Sequence, residues 1–235
     1  MATVVLLRHA RSTANGSGVL AGRMPGVELD ETGGRQAEEL VARLAQVPLA
    51  GIVSSPLLRC QRTVAPLALA RGLVPVTDDS LSEVDYGAWT GRELGTLFKE
   101  KLWSVVQQHP SAAVFPDGEG LAQVQTRAVA AVRAHDARLV AEHGPKAVWL
   151  LCSHGDVIKA IIADALGQHL DSFQRIVVNP ASVSVVQYTD TRPFVLRMND
   201  NGGELASIVP PAPEPDRDAP PAGDAVPGGA TGRSA

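Results

Sequence analysis

Five side chains far apart in the chain, Arg8, His9, Arg59, Glu83 and His154, are of the types that could act together on one phosphate. Planar guanidinium groups match phosphate oxygens two at a time. A neutral imidazole can attack phosphorus or hold an oxygen, and a carboxylic acid can give a proton to a leaving alkoxide. Arg8 and His9 end the β-forming run Thr3-Val4-Val5-Leu6-Leu7. Neighbours in a strand point to opposite faces, so both can serve one ligand only if the strand stops there and the backbone turns. His9 is then the candidate nucleophile and Arg8 an anion clamp.

What must position these groups is a sheet whose strands alternate with helices. After the first strand, residues 15–34 hold six glycines and Pro25, which reads as a long loop over the site. Ala37, Leu40, Val41 and Leu44 follow helical spacing, with Thr32 as the expected cap. Ala50 to Val53 reads as a strand, and Ser54-Ser55-Pro56 as the opening of a helix that carries Arg59 in its first turn or so. Leu73 to Thr77 reads as a third strand, leading into the polar and aromatic loop of Glu83. Residues 92–117 read as a helical insertion. A long helix from Glu119 precedes the apolar strand Ala147 to Cys152, and Ser153-His154-Gly155-Asp156 opens another helix. Ala181 to Tyr188 and Phe194 to Met198 suggest a hairpin. The expected fold is α/β: a three-layer, doubly wound, mostly parallel sheet with helices on both faces and the insertion over the site. In such sheets the strand-to-helix junctions share one edge, which brings Arg8, His9, Arg59 and His154 together.

A chain of 235 residues, 45% hydrophobic, can bury one good-sized core. The expected domain covers residues 1–205. Residues 206–235, rich in Pro, Ala and Gly, read as a disordered tail with almost nothing to bury. No apolar run reaches the roughly 18 to 20 residues of a membrane span, and no secretory leader is evident. A net charge of −4 argues against general nucleic-acid binding. Two cysteines outside any CxxC pattern fit a cytoplasmic protein. Neither is a tyrosine-phosphatase nucleophile, because Pro66 and Ile158 stand where the arginine six residues on would be.

The ordered motifs resemble the histidine phosphatases, the phosphoglycerate mutase-like superfamily. Its opening Arg-His-Gly-x-Ser/Thr is similar to Arg8-His9-Ala10-Arg11-Ser12, with Asn15 also in place. Ser-x-x-x-Arg-x-x-x-Thr matches Ser55 to Thr63. The acid loop matches Glu83 to Gly91, and the second histidine motif Ser153-His154-Gly155. Asp117-Gly118-Glu119 followed by Arg127 resembles a further family stretch. The resemblance implies a phosphohistidine at His9, phosphoryl oxygens held by Arg8, Arg59 and His154, and proton transfer by Glu83. It implies no cofactor and no metal, a small phosphorylated substrate, and binding roles for Ser12 and Asn15.

Several positions stay open. Tyr86 either lines the leaving-group side or packs under its loop. Arg62, His109, His135, His143 and His169 read as surface residues. Arg11 stands where the family's cofactor-dependent mutases usually carry glutamate, and the insertion offers Arg92, Lys99 and Lys101 but no adjacent arginines. Both departures favour hydrolysis over mutase chemistry, with Arg11 helping to decide what enters. A non-catalytic phospho-ligand binding module is the alternative of another class. A homo-oligomer is allowed for.

Overall fold

The computed structural model describes residues 2–203 and 225–229. The elements in chain order are β1 (Thr3–Arg8), α1 (Thr13–Ser17), α2 (Glu31–Arg43), β2 (Leu49–Ser54), α3 (Leu58–Arg71), β3 (Val76–Thr77), α4 (Leu94–Leu97), α5 (Lys101–Gln108), α6 (Leu121–His143), β4 (Val148–Ser153), α7 (Gly155–Ala165), β5 (Val183–Tyr188) and β6 (Pro193–Asp200). The six strands form one sheet in the order β3-β2-β4-β1-β5-β6. β3, β2, β4 and β1 are parallel, whereas β5 and β6 add an antiparallel hairpin.

The two-residue period of the strands sorts their side chains between two layers. Val5, Leu7, Ile52, Leu150 and Cys152 meet Leu40 and Leu44 at the end of α2 and Cys60, Val64 and Leu67 of α3. Val4, Leu6, Val53, Trp149 and Leu151 face the layer that includes Val124, Ala128 and Val132 of α6 and Val157 and Ile161 of α7. A strand covered on both sides must be apolar at every position, which is why β4 reads as a continuous hydrophobic run. The expected α/β/α architecture is therefore present, with the strands' carboxyl ends along one edge.

Local boundaries differ from the sequence reading where two residues could serve the same purpose. The cap of α2 is Asp30, whose carboxylate accepts from the Gly33 amide at 2.8 Å, not Thr32. The glycine-rich loop contains the short helix α1, and the third strand shrinks to Val76–Thr77 at the sheet edge. α3 starts at Leu58 rather than at the serines. The insertion is helical, as α4 and α5. The tail expected at 206–235 falls mostly outside the described residues, but 225–229 lie against the sheet's carboxyl edge.

Replacing Leu151 at the sheet centre by Ala should cost about 2–5 kcal/mol through lost burial and a residual cavity. Val76→Ala, on the half-exposed edge, should stay within roughly 0.5 kcal/mol. Urea denaturation of both variants measures the contrast, and similar losses would contradict this distribution of the core.

Candidate functional site

Arg8 is the last residue of β1 and lies on the same face as Val4 and Leu6. Its Nη1 donates to the Val178 carbonyl at 2.7 Å, and the side chain is fully buried. Burial lowers its pKa to about 10, opposed by the nearby Glu83 and Asp156 carboxyls, so it remains a cation at neutral pH. The His9 amide still donates to Ser153 of β4 at 2.9 Å, and the chain then turns out of the sheet. That turn brings both side chains into one pocket.

The hydrogen bonds of His9 define its tautomer. Nδ1 lies 2.7 Å from the Ala10 carbonyl and must carry the proton. Nε2 accepts from Arg59 Nε at 3.3 Å, so its lone pair faces the guanidinium. Burial, then Arg59 and Arg8, push the His9 pKa well below its ordinary value. The ring is neutral, as a nucleophile must be.

Arg59 is the second residue of α3, just beyond β2. Besides His9 it reaches the Gly22 carbonyl at 2.8 Å and His154 Nδ1 at 3.2 Å, both through Nη2. Because Nδ1 accepts there, His154 Nε2 carries the proton and donates to Ser55 Oγ at 2.7 Å. Burial and the Arg59 charge hold His154 neutral as well. The two imidazole centroids are 5.2 Å apart. Thr63, one turn further along α3, accepts from the Ala10 amide at 2.9 Å and donates to the Arg59 carbonyl at 2.6 Å. The Ala10 amide is thus committed to Thr63, and the methyl group that stands for the family's glycine is fully buried.

Glu83 enters from the loop after β3. Its carbonyl accepts from Arg23 Nε at 2.9 Å and from Arg127 Nη2 at 3.2 Å, and both arginines pair with Glu119. Glu119 also accepts from the Asp85 amide at 2.8 Å. Backbone packs on backbone here: a Cβ on Gly87, whose φ is 49°, would lie 2.0 Å from the Pro116 carbonyl. The Glu83 carboxyl itself is buried, which raises its pKa to about 7. The nearby Asp156 charge pushes the same way, against the Val84 amide, Arg59 and Arg8.

Of the sequence-predicted residues, Arg8, His9, Ser12, Asn15, Arg59, Glu83 and Tyr86 line one pocket. His154 lies behind Arg59 and does not line it. Ser12 and Asn15 satisfy each other as the capping box of α1. Tyr86 packs its ring edge-on against Phe115 at 4.9 Å and also lines the pocket. Arg11 is elsewhere, 3.2 Å from Asp30 at the start of α2, and is not brought to the site. Arg92 pairs with Glu100 at 2.7 Å and Arg62 with Glu28 at 3.4 Å, and neither lines the pocket. His135 departs from its surface reading: it is half-buried and bonds Asp78 at 2.8 Å.

Three polar residues were missed. Ser55 orients His154 instead of opening a helix. Asp156, in the first turn of α7, is 1% exposed, accepts from the Tyr86 hydroxyl at 2.8 Å and lies 3.3 Å from Lys159 Nζ. Its place beside the second histidine motif was the available signal. Gln107 of α5 makes paired bonds to the backbone of Ala225, and nothing in its sequence surroundings marks it.

Known proteins are similar to this chain in sequence and in fold. Phosphoserine phosphatase 1 of Hydrogenobacter thermophilus is 30% identical over 202 residues, 85% of this chain and 92% of that one. A probable phosphoglycerate mutase, GpmB, of Yersinia pestis is 29% identical over 216 residues, 90% and 97% of the two chains. The solved structure of Bacillus stearothermophilus YhfR superposes with a TM-score of 0.76 at 26% identity, covering 85% of this chain and 98% of that one. A sequence model of the histidine phosphatase superfamily (branch 1) matches residues 4–201. With its ordered motifs converging on one pocket, the chain belongs to that superfamily.

Proposed function

We propose that the protein is a phosphomonoester hydrolase that works through phospho-His9. The observation that carries this reading is the His9 ring: Nδ1 is tied to the Ala10 carbonyl and the Nε2 lone pair faces a pocket that also contains Arg8, Arg59 and a raised-pKa carboxyl. When a phosphate ester enters, Arg59 gives its Nε–H to a phosphoryl oxygen and frees Nε2. Nε2 forms a bond to phosphorus while the bond from phosphorus to the alcohol oxygen breaks, and protonated Glu83 supplies the proton that oxygen needs. Arg8 and Arg59 offset the oxygen charge as it redistributes, with His154 set behind Arg59. Water then attacks phospho-His9, Glu83 takes its proton back, and phosphate leaves with His9 neutral again. The arginines and imidazoles supply the positive charge, so the proposal invokes no metal.

Hydrolysis is favoured over mutase chemistry by where the cations lie. Among the described residues, the cations lining the pocket are Arg8 and Arg59, while Arg11 and Arg92 are paired with carboxylates elsewhere. A doubly phosphorylated intermediate would need a second anion site. Ala14, Val19, Leu20, Ala21 and Leu94 also line the pocket, beside Ser12 and Asn15, and suit a small ester with an uncharged alcohol. We further infer a cytoplasmic protein, since Cys60 and Cys152 are both buried free thiols, a state that a reducing compartment preserves.

Loss of the nucleophile in His9→Ala should reduce turnover at least about a thousandfold and abolish phosphoenzyme labelling; full activity would refute the mechanism. The acid must be protonated, so it is competent below its pKa and lost above it. For alkyl phosphates kcat/KM should therefore fall as pH rises through about 7. Glu83→Gln should remove that limb and slow alkyl esters more than aryl esters, whose leaving groups need less protonation. Phosphate release measured beside bisphosphate-dependent isomerisation distinguishes hydrolase from mutase.

A further inference from the structure

Residues 225–229 occupy the mouth of the pocket. Ala225 is held at both backbone groups by Gln107: its amide donates to Oε1 and its carbonyl accepts from Nε2, each at 2.8 Å. Val226 to Gly229 then form a turn closed by the Gly229 amide on the Val226 carbonyl at 2.8 Å. Gly228 donates to Asp156 Oδ2 at 2.9 Å. Both glycines have positive φ, 78° and 84°, which an L side chain rarely adopts.

The fit is tight at Gly229, whereas a Cβ on Gly228 would be in ordinary contact and opposed only by its backbone conformation. A Cβ on Gly229 would lie 2.8 Å from Arg8 Nη1, and one on Gly228 would lie 3.7 Å from Glu83 Oε2. From the other side, a Cβ on Gly155 would come within 2.2 Å of the Gly228 carbonyl. With the turn seated, the cavity beside Arg8, His9 and Arg59 measures ≈ 30 Å³. A water molecule or two would fill that, and a phosphoryl group with its alcohol cannot.

We propose that the Ala225–Gly229 turn is an intramolecular occupant of the substrate pocket, which a phosphate ester must displace. This rests on the hydrolase reading for the identity of the competitor. Three hydrogen bonds and a buried proline stand against the ordering of five residues, so docking is favoured over the open pocket by only about two- to ninefold and acts as a competing equilibrium. Tethering keeps the turn's effective concentration high without making it permanent. Apparent affinity for substrate is reduced by the fraction of molecules with an open pocket.

The test uses the full chain with both glycines replaced, Gly228→Val with Gly229→Val, and separately Gln107→Ala. Calorimetry with inorganic phosphate measures pocket occupancy without turnover, and p-nitrophenyl phosphate gives KM and kcat. The double variant should bind phosphate about three- to tenfold more tightly and show a correspondingly lower KM, with kcat within about twofold. Gln107→Ala should move both constants the same way, and carries the test if the double variant fails to fold. Unchanged or weaker phosphate binding in a folded variant overturns the proposal. Tighter phosphate binding with no ester hydrolysis in any form would uphold the competing turn and refute the hydrolase reading.

Discussion

Two guanidinium groups buried at the carboxyl edge of the sheet set the electrical state of everything around them. Arg8 is fully buried and Arg59 is 2% exposed. Removing a cation from water is costly unless partners compensate, and these two face imidazoles and carbonyls as much as carboxylates. The neutrality of His9 and His154 follows from that positive field together with burial. The Asp156 carboxylate is a local counterweight, and burial, then that charge, raise the Glu83 pKa to about 7. A positive field confined to a buried pocket favours an anionic ligand.

The supporting residues hold this charge distribution in place with few atoms. Thr63 joins the first motif to the second through one hydroxyl, tying the strand end that carries His9 to the Arg59 helix. Glu119 does the same for the acid loop, gathering Arg23, Arg127 and the Asp85 amide around the backbone of Glu83. Arg8 and His9, Arg59 and Glu83 are carried on a strand end, a helix start and a loop, yet each segment is fixed by a bond to another element.

Reading the sequence worked best where side-chain chemistry and strand ends coincide. Arg8 and His9 are legible because a charged or imidazole side chain at the end of an apolar strand has no packing purpose, and Arg59 because it falls inside the motif from Ser55 to Thr63. Glu83 is legible because its loop carries a distinctive aromatic and glycine pattern. Asp156 was overlooked although it stands two residues beyond His154: its burial depends on Tyr86, 70 residues earlier, and on Lys159. Thr32 and Asp30 are both plausible caps, and only backbone geometry decides between them. For the tail, composition reports how little there is to bury. It is silent on whether a glycine pair can lie against an arginine.

The strand order has a consequence for how the site comes into being. β1 is flanked by β4 and β5, so Thr3 pairs with Val148 and Gln187, roughly 145 and 184 residues away. Contacts of such sequence separation pay their loop-closure entropy before they are rewarded, and they form late. The end of β1 that carries Arg8 and His9 is therefore seated only once β4, roughly 145 residues on, has paired with it.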